Sequence, residues 1–172
     1  VLSNRLGEPR EPTPVPGYFQ QTYSKGMRRD NYSFFLEHLK TWNKWTVVGG
    51  TLFNVNSQFK NAFYPGIDVS YAWNEKLNLY SSVNRSLRLP TFTELYLNTS
   101  TVRADPLLRP EAATSMEVGM KWNTSQLSLI TSMFYKKTTN AIDKVKRPEL
   151  PVPTMENIDD INLGGFEIAA TW

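Results

Sequence analysis

From Asn31 onward the chain runs in segments of about ten residues in which apolar and polar side chains alternate, separated by turn residues. Successive side chains of a strand point to opposite faces, so this pattern predicts antiparallel strands with one greasy face and one polar face. Ile67, Val69, Tyr71 and Trp73 share one face, while Asp68, Ser70 and Ala72 share the other. Leu77, Leu79 and Val83 separate in the same way from Asn78, Ser82 and Asn84, and Met116, Val118, Met120 and Trp122 from Ser115, Glu117, Gly119 and Lys121. The split returns in Phe166, Ile168, Ala170 and Trp172 against Glu167, Ala169 and Thr171. Trp45 to Val55 is blurred by Gly49, Gly50 and Leu52, and Asn31 to Thr41 is ambiguous, with Phe34 and Leu36 on one face and Phe35 and Leu39 on the other. About seven segments can be marked, each the length that a tilted membrane-crossing strand requires. Residues 1–30 hold closely spaced prolines and no apolar period, and are expected to be a loop.

The connections alternate as well. Tight links at Trp42–Trp45, Trp73–Leu77 and Trp122–Gln126 take turns with longer, irregular ones near Asn56–Ala62, Leu87–Thr114 and Thr138–Ile161. Short and long connections therefore fall at opposite ends of the sheet, the asymmetry of outer-membrane barrels. Trp42, Trp45, Trp73 and Trp122 flank the short turns, and Trp172 falls where the last descending strand reaches the same edge. Tryptophan combines an apolar body with an N–H donor, so five at one level form a candidate membrane-interface girdle.

Composition narrows this picture. The 172 residues, 13% of them aromatic, suit a folded domain. No run approaches the roughly 18 apolar residues that a membrane helix needs, while a mean hydropathy of -0.42 is compatible with alternating membrane strands. Cysteine is absent, which rules out disulfides and thiolate chemistry. The formal charge of +3 is scattered, so no nucleic-acid partner is expected.

Catalytic chemistry is hard to assemble. The one histidine, His38, lies beside Glu37 on the opposite strand face, so the two cannot converge on a substrate. Glu156 to Asp160 lacks the spacing of a calcium loop, and the Asn-x-Ser/Thr triplets at Asn31, Asn84, Asn98 and Asn123 are expected by chance. No catalytic residue, metal ligand or cofactor is assigned. A soluble β-sandwich binding module, for carbohydrate for example, and a surface hydrolase are the alternatives. The tryptophan edge and the turn asymmetry weigh against the first, and the missing nucleophile and base against the second.

The stretch from Val83 to Trp122 organises the rest. "RSLRLPTFTELY" followed by "DPLLRPEAATSMEVGMKW" resembles the C-terminal barrel signature of TonB-dependent outer-membrane receptors. Arg88 and Pro90 to Tyr96, thus including Thr91, Glu94 and Leu95, match its first part. Pro106, Leu108, Pro110 and Glu111 match the second, with Asp105 where the family has Asn, and Glu117 and Gly119 match the strand that follows. The texture is most similar to the Bacteroidetes-type branch of cobalamin or siderophore receptors. Pro90 lacks a ladder donor and should end the rising strand, while Pro106 and Pro110 hold an extended path back. Glu117 and Lys121 should face the lumen. Arg88, Glu94 and Glu111 are expected to pair on the rim rather than to touch a ligand.

The resemblance implies an all-β chain of antiparallel up-and-down strands, a slice of about seven from a barrel of about twenty-two. Residues 31–172 would supply the strands, with the plug domain and its partner-binding segment lying outside the chain. It implies a transporter in the bacterial outer membrane, with lipid, a scarce nutrient of cobalamin or iron–siderophore type, and the TonB energy-coupling complex as partners. Phe92, Tyr96, Tyr64 and Arg103 are the candidate ligand contacts, for their loop position and reach. Isolated, such a slice would expose open strand edges and a lipid face and is expected to self-associate.

Overall fold

The computed structural model describes residues 2–5 and 27–172, with side chains from residue 27 onward. Ten strands and one short helix follow in the order β1 (Leu2–Arg5), β2 (Arg28–Trp42), β3 (Trp45–Asn56), β4 (Ala62–Ala72), β5 (Leu77–Arg88), α1 (Phe92–Tyr96), β6 (Glu111–Asn123), β7 (Ser128–Thr139), β8 (Ile142–Val145), β9 (Thr154–Asn157) and β10 (Ile161–Thr171). Eight of them form one antiparallel sheet in the order β1-β2-β3-β4-β5-β6-β7-β10, and β8 pairs with β9 in a separate hairpin. The up-and-down strands expected from the alternation are the seven long ones, β2 to β7 and β10.

Three details correct the sequence reading. Leu2–Arg5 pairs with Arg28–Asn31, so residues 2–5 and 28–30 are strand rather than loop, and residues 1 and 6–26 lie outside the described part. The connection from β3 to β4 spans only residues 57–61, because both strands run further than their apolar periods do. The two longer connections carry α1 and the β8–β9 hairpin.

Register fixes the faces. Phe35 lies opposite Leu52, Leu52 opposite Tyr64, Asp68 opposite Ser82 and Ser82 opposite Glu117, all on the polar face. The other face carries Phe34, Ile67, Val83, Met116, Val118, Met133, Phe166 and Ile168, every one of them exposed. Among the described residues no second layer covers that face. Strand β2 is apolar on both faces, since Phe35 and Leu39 stand exposed on the polar side.

The short turns rest on local polar side chains. Asn43 takes φ 50° between the paired Trp42 and Trp45, a left-handed conformation that asparagine tolerates. The Asn74 carboxamide oxygen accepts from the Lys76 and Leu77 amides, and the Thr124 hydroxyl from those of Gln126 and Leu127. At the opposite edge sits the hydrophobic core, built from α1, the long connections and the β8–β9 hairpin rather than from the wall strands.

Candidate functional site

The site at the long-loop edge starts where β5 stops. Arg88 is the last residue of β5 and lies opposite Glu111, the first of β6. Its guanidinium donates to both Glu111 carboxylate oxygens at 2.7 and 2.9 Å, the bidentate geometry that arginine's planar fork favours. The remaining terminal nitrogen reaches Glu94 at 3.0 Å. Two residues on, Pro90 withholds a ladder donor and the chain turns into α1.

Helix α1 is capped reciprocally. The Thr91 hydroxyl accepts from the Glu94 amide, and the Glu94 carboxylate accepts from the Thr91 amide at 2.7 Å. Glu94 therefore serves the helix cap and the Arg88 clamp together. Burial alone would push its carboxyl up, but the Thr91 amide and the Arg88 guanidinium outweigh that and hold it below the usual carboxylate range. Glu111 also accepts from the Ile142 amide at 2.6 Å, which ties the clamp to the β8–β9 hairpin.

Above the clamp three loops share one core. Leu95, Leu108 and Met155 are buried together, with Phe59, Tyr96, Val102 and Ile142 packed around them. Asn157 stitches two of the loops, accepting from the Arg109 amide at 2.7 Å and donating to the Arg109 and Asn140 carbonyls. The backbone of Arg103 bonds Pro153 and Met155, both at 2.8 Å. From the wall, buried Arg29 donates to the Pro90 carbonyl at 2.7 Å and places its guanidinium over the rings of Phe59 and Phe92. The polar face below is hollowed by a groove of about 530 Å³ between Phe35, Leu52, Tyr64, Glu37, Asp68 and Asn84.

A wall with one greasy and one polar face, carrying knotted loops on one edge only, can be set beside known proteins. The family profile described as TonB dependent receptor-like, beta-barrel, matches residues 3–172. The chain belongs to that family.

It is a segment of a receptor barrel of the bacterial outer membrane. Among solved structures, the siderophore receptor PirA from Pseudomonas aeruginosa is similar with a TM-score of 0.75 at 13% identity, over 83% of this chain and 28% of that one. A mutant of the ferric enterobactin receptor PfeA from the same organism gives a TM-score of 0.73 at 17% identity, over 92% and 26%. The FrpB iron transporter from Neisseria meningitidis gives 0.67 at 16%, over 85% and 24%. At such identities the likeness concerns the fold, and the chain spans about a quarter of each of these proteins. No curated protein matches the sequence.

Of the motif residues, Arg88, Thr91, Glu94 and Glu111 come together as the rim clamp. Pro90, Leu95 and Leu108 are buried, Pro106 lies in a turn, and Pro110 immediately precedes β6. Glu117 accepts from the Tyr80 hydroxyl at 3.1 Å, and the Tyr80 ring covers Gly119, where an added Cβ would lie 2.5 Å from it. The four residues expected at a ligand are spread out. Phe92 is buried beneath Arg29, with its ring centroid 6.2 Å from that of Tyr96. Tyr96 is half-buried with its hydroxyl accepting from Gln58 at 2.7 Å, Tyr64 lines the groove, and Arg103 is exposed. Exposed Trp42, Trp45, Trp73, Trp122 and Trp172 stand at or beside the short-turn edge, with the Trp45 ring tilted by 48° against Tyr71 at 4.6 Å between centroids. Sequence reasoning missed Arg29, Asn157 and Met155, whose partners lie across loops. Glu156 pairs with Arg147 at 2.9 Å and Asp160 with Lys137 at 2.8 Å, and among the described residues no three acidic or histidine side chains gather around a metal position.

Proposed function

We propose that this segment is the wall and part of the ligand-facing rim of an energy-coupled transporter that carries a scarce nutrient across the outer membrane. The rim block carries the reading: three loops fused through one core and clamped to the wall by Arg88 and Arg29 form a firm lip over a polar face. A ligand captured at such a lip meets Tyr96, Tyr64 and Arg103, while Phe92 and the motif residues hold the lip in shape. The proteins with this fold named above as siderophore, enterobactin or iron receptors support an iron–siderophore ligand over cobalamin. Energy would reach the barrel through a plug region contacting the TonB complex.

The outer face matches a bilayer. From Tyr32 to Trp42 that face runs along eleven residues of β2, whose ten steps give about 25 Å of height at about 3.3 Å per residue and a tilt of about 40°. The five tryptophans would then lie at the periplasmic interface, and a slice expressed alone should associate through its exposed strand edges.

Uptake by cells carrying the full gene tests the reading. Accumulation of radioiron presented as catecholate or hydroxamate siderophore, and of radiolabelled cobalamin, is compared with a deletion strain, with and without a protonophore. Loss of one protonophore-sensitive uptake on deletion is the expected result. Unchanged uptake of all three, with binding of soluble glycan by the purified receptor, would overturn transport in favour of a binding module.

A further inference from the structure

The groove on the polar face begins where β4 and β5 part. Their pairing ends at Gly66 and Asn84, although β4 reaches back to Ala62 and β5 runs on to Arg88. The Ala72 amide donates to the Lys44 carbonyl on the β3 side, and bonding direction alternates along an antiparallel strand, so Pro65 faces β5. Proline has no N–H to extend the ladder, and the strands fork. Tyr64 and Pro65 form one bank of the fork, Arg85 and Leu87 the other, and all of them line the groove of about 530 Å³.

The rows across the groove differ in kind. Asn54 lies opposite Ser33, and below them Phe35, Leu52 and Tyr64 make an apolar row. One row further down, Glu37 stands opposite Gly50, which lies opposite Gly66. Gly50 has no side chain, and a Cβ added there would meet nothing closer than 3.5 Å, so the floor at this point is bare. Glu37 is the direct cross-strand neighbour of Gly50, and Asp68, two residues past Gly66, is its diagonal one. Asp68 accepts from the Asn84 side-chain amide at 3.2 Å, and among the described residues no lysine or arginine pairs with either carboxylate. Among the lining residues Arg85, on the far bank, is the one cation, so two carboxylates face one guanidinium.

At the upper end Asn54 is 5% exposed, its side-chain nitrogen donating to the Ser33 hydroxyl at 2.8 Å. Its oxygen has no donor among the described residues. A buried acceptor left in that way is costly, and a donor placed at this end of the groove relieves it by a turn of the amide. The groove falls within the range of ligand pockets, about 300–1,000 Å³. Asn54 lies four residues from Gly50 along β3, about 13 Å at about 3.3 Å per residue. We infer that the groove is a binding site for a protonated amine joined through an apolar, ring-sized body to a hydrogen-bond donor. The ammonium sits over Gly50 between Glu37 and Asp68, the body lies on Leu52 between Phe35 and Tyr64, and the donor meets Asn54. The excess of acceptors and of negative charge at the Gly50 end selects a cation over an anion there. This site goes beyond the transport reading and holds whether or not its ligand is carried across.

The test titrates tyramine into the full-length receptor in non-ionic detergent, read by calorimetry. Two relatives run beside it: 3-(4-hydroxyphenyl)propionate, which exchanges the amine for a carboxylate, and phenethylamine, which lacks the hydroxyl. Tyramine should bind about tenfold tighter than the acid and about threefold tighter than phenethylamine. Glu37→Gln with Asp68→Asn should erase the first preference and Asn54→Leu the second alone, while Gly50→Leu, which fills the floor, should abolish binding. No binding of tyramine by wild type, equal binding of tyramine and the acid, or an undiminished preference in a carboxylate double variant that keeps its folded-barrel gel mobility would overturn the site. If the double variant does not fold, Glu37→Gln alone carries the comparison, with a drop in preference of about threefold expected and an unchanged preference counting against the site. Binding is read without uptake, so the site can fail while transport stands.

Discussion

The wall and the rim use the same residue types to opposite ends. On the wall the large apolar side chains point outward, and Phe34 is 66% exposed, while on the rim Leu95 is 1% exposed. The rim is packed like a small soluble protein, with its own core, caps and ion pairs, whereas the wall has strand pairing within and depends on lipid for its outer face. Stability in such a molecule has two independent sources, and a substitution can strike one without the other.

The largest separation should come from Leu95→Ala, which opens a cavity in the rim core and should cost about 2–5 kcal/mol of local stability. Hydrogen exchange in the full receptor should speed up across residues 92–108 and 142–157 and stay unchanged in β3 and β4. Faster exchange in the wall as well would mean that the two regions are one cooperative unit. The converse substitution is Val118→Arg, which places a charge near mid-height on the outer face and should destabilise the barrel by about 2–4 kcal/mol. Urea unfolding in lipid vesicles, followed by tryptophan fluorescence, reads that loss.

Arg88→Met strands Glu94 and Glu111 without their cation. Both carboxylates are only partly exposed and keep amide donors, so the expected cost is about 1–2 kcal/mol, seen as protease sensitivity of residues 89–110 with β5 and β6 intact. Thr91→Ala removes one half of the helix cap and should cost about 1 kcal/mol on the same readout. Acid should resolve the regions further. Glu94 is depressed below its unfolded value, so its contribution is complete above the usual carboxylate range and fades as pH falls through its folded value. Exchange at residues 91–97 should therefore quicken below about pH 4.5 before the wall responds. Wall and rim loosening together would remove the distinction.

How much of each region could be read from the chain follows from the same difference. The wall is local: a period of two, turn residues such as Asn43, Asn74 and Thr124, and tryptophans at one edge give its strands and faces directly. Where the period is weak the reading blurs, as in β2, whose Phe35 and Leu39 make both faces apolar. The rim is non-local. The pairing of Arg88 with Glu94 and Glu111 follows because the motif brings opposite charges to a strand end, yet the irregular connection expected over Leu87–Thr114 holds α1, for which Thr91 and Glu94 carry the capping-box spacing. Nothing near Asn157 announces that it will bind Arg109, 48 residues away, or that Met155 will pack on Leu95. Such contacts depend on where the wall delivers each loop.

The clamp between Arg88 and Glu111 has a further consequence. Because the two residues face each other across β5 and β6, the 22 residues between them leave and return through a single closed gate. Lengthening that segment at its exposed tip near Ser100 adds closure entropy only logarithmically, about 0.6 kcal/mol for a full doubling. The loop is in effect an exchangeable cassette, in which new recognition surface can be installed above the gate while the membrane-spanning strands below keep their register.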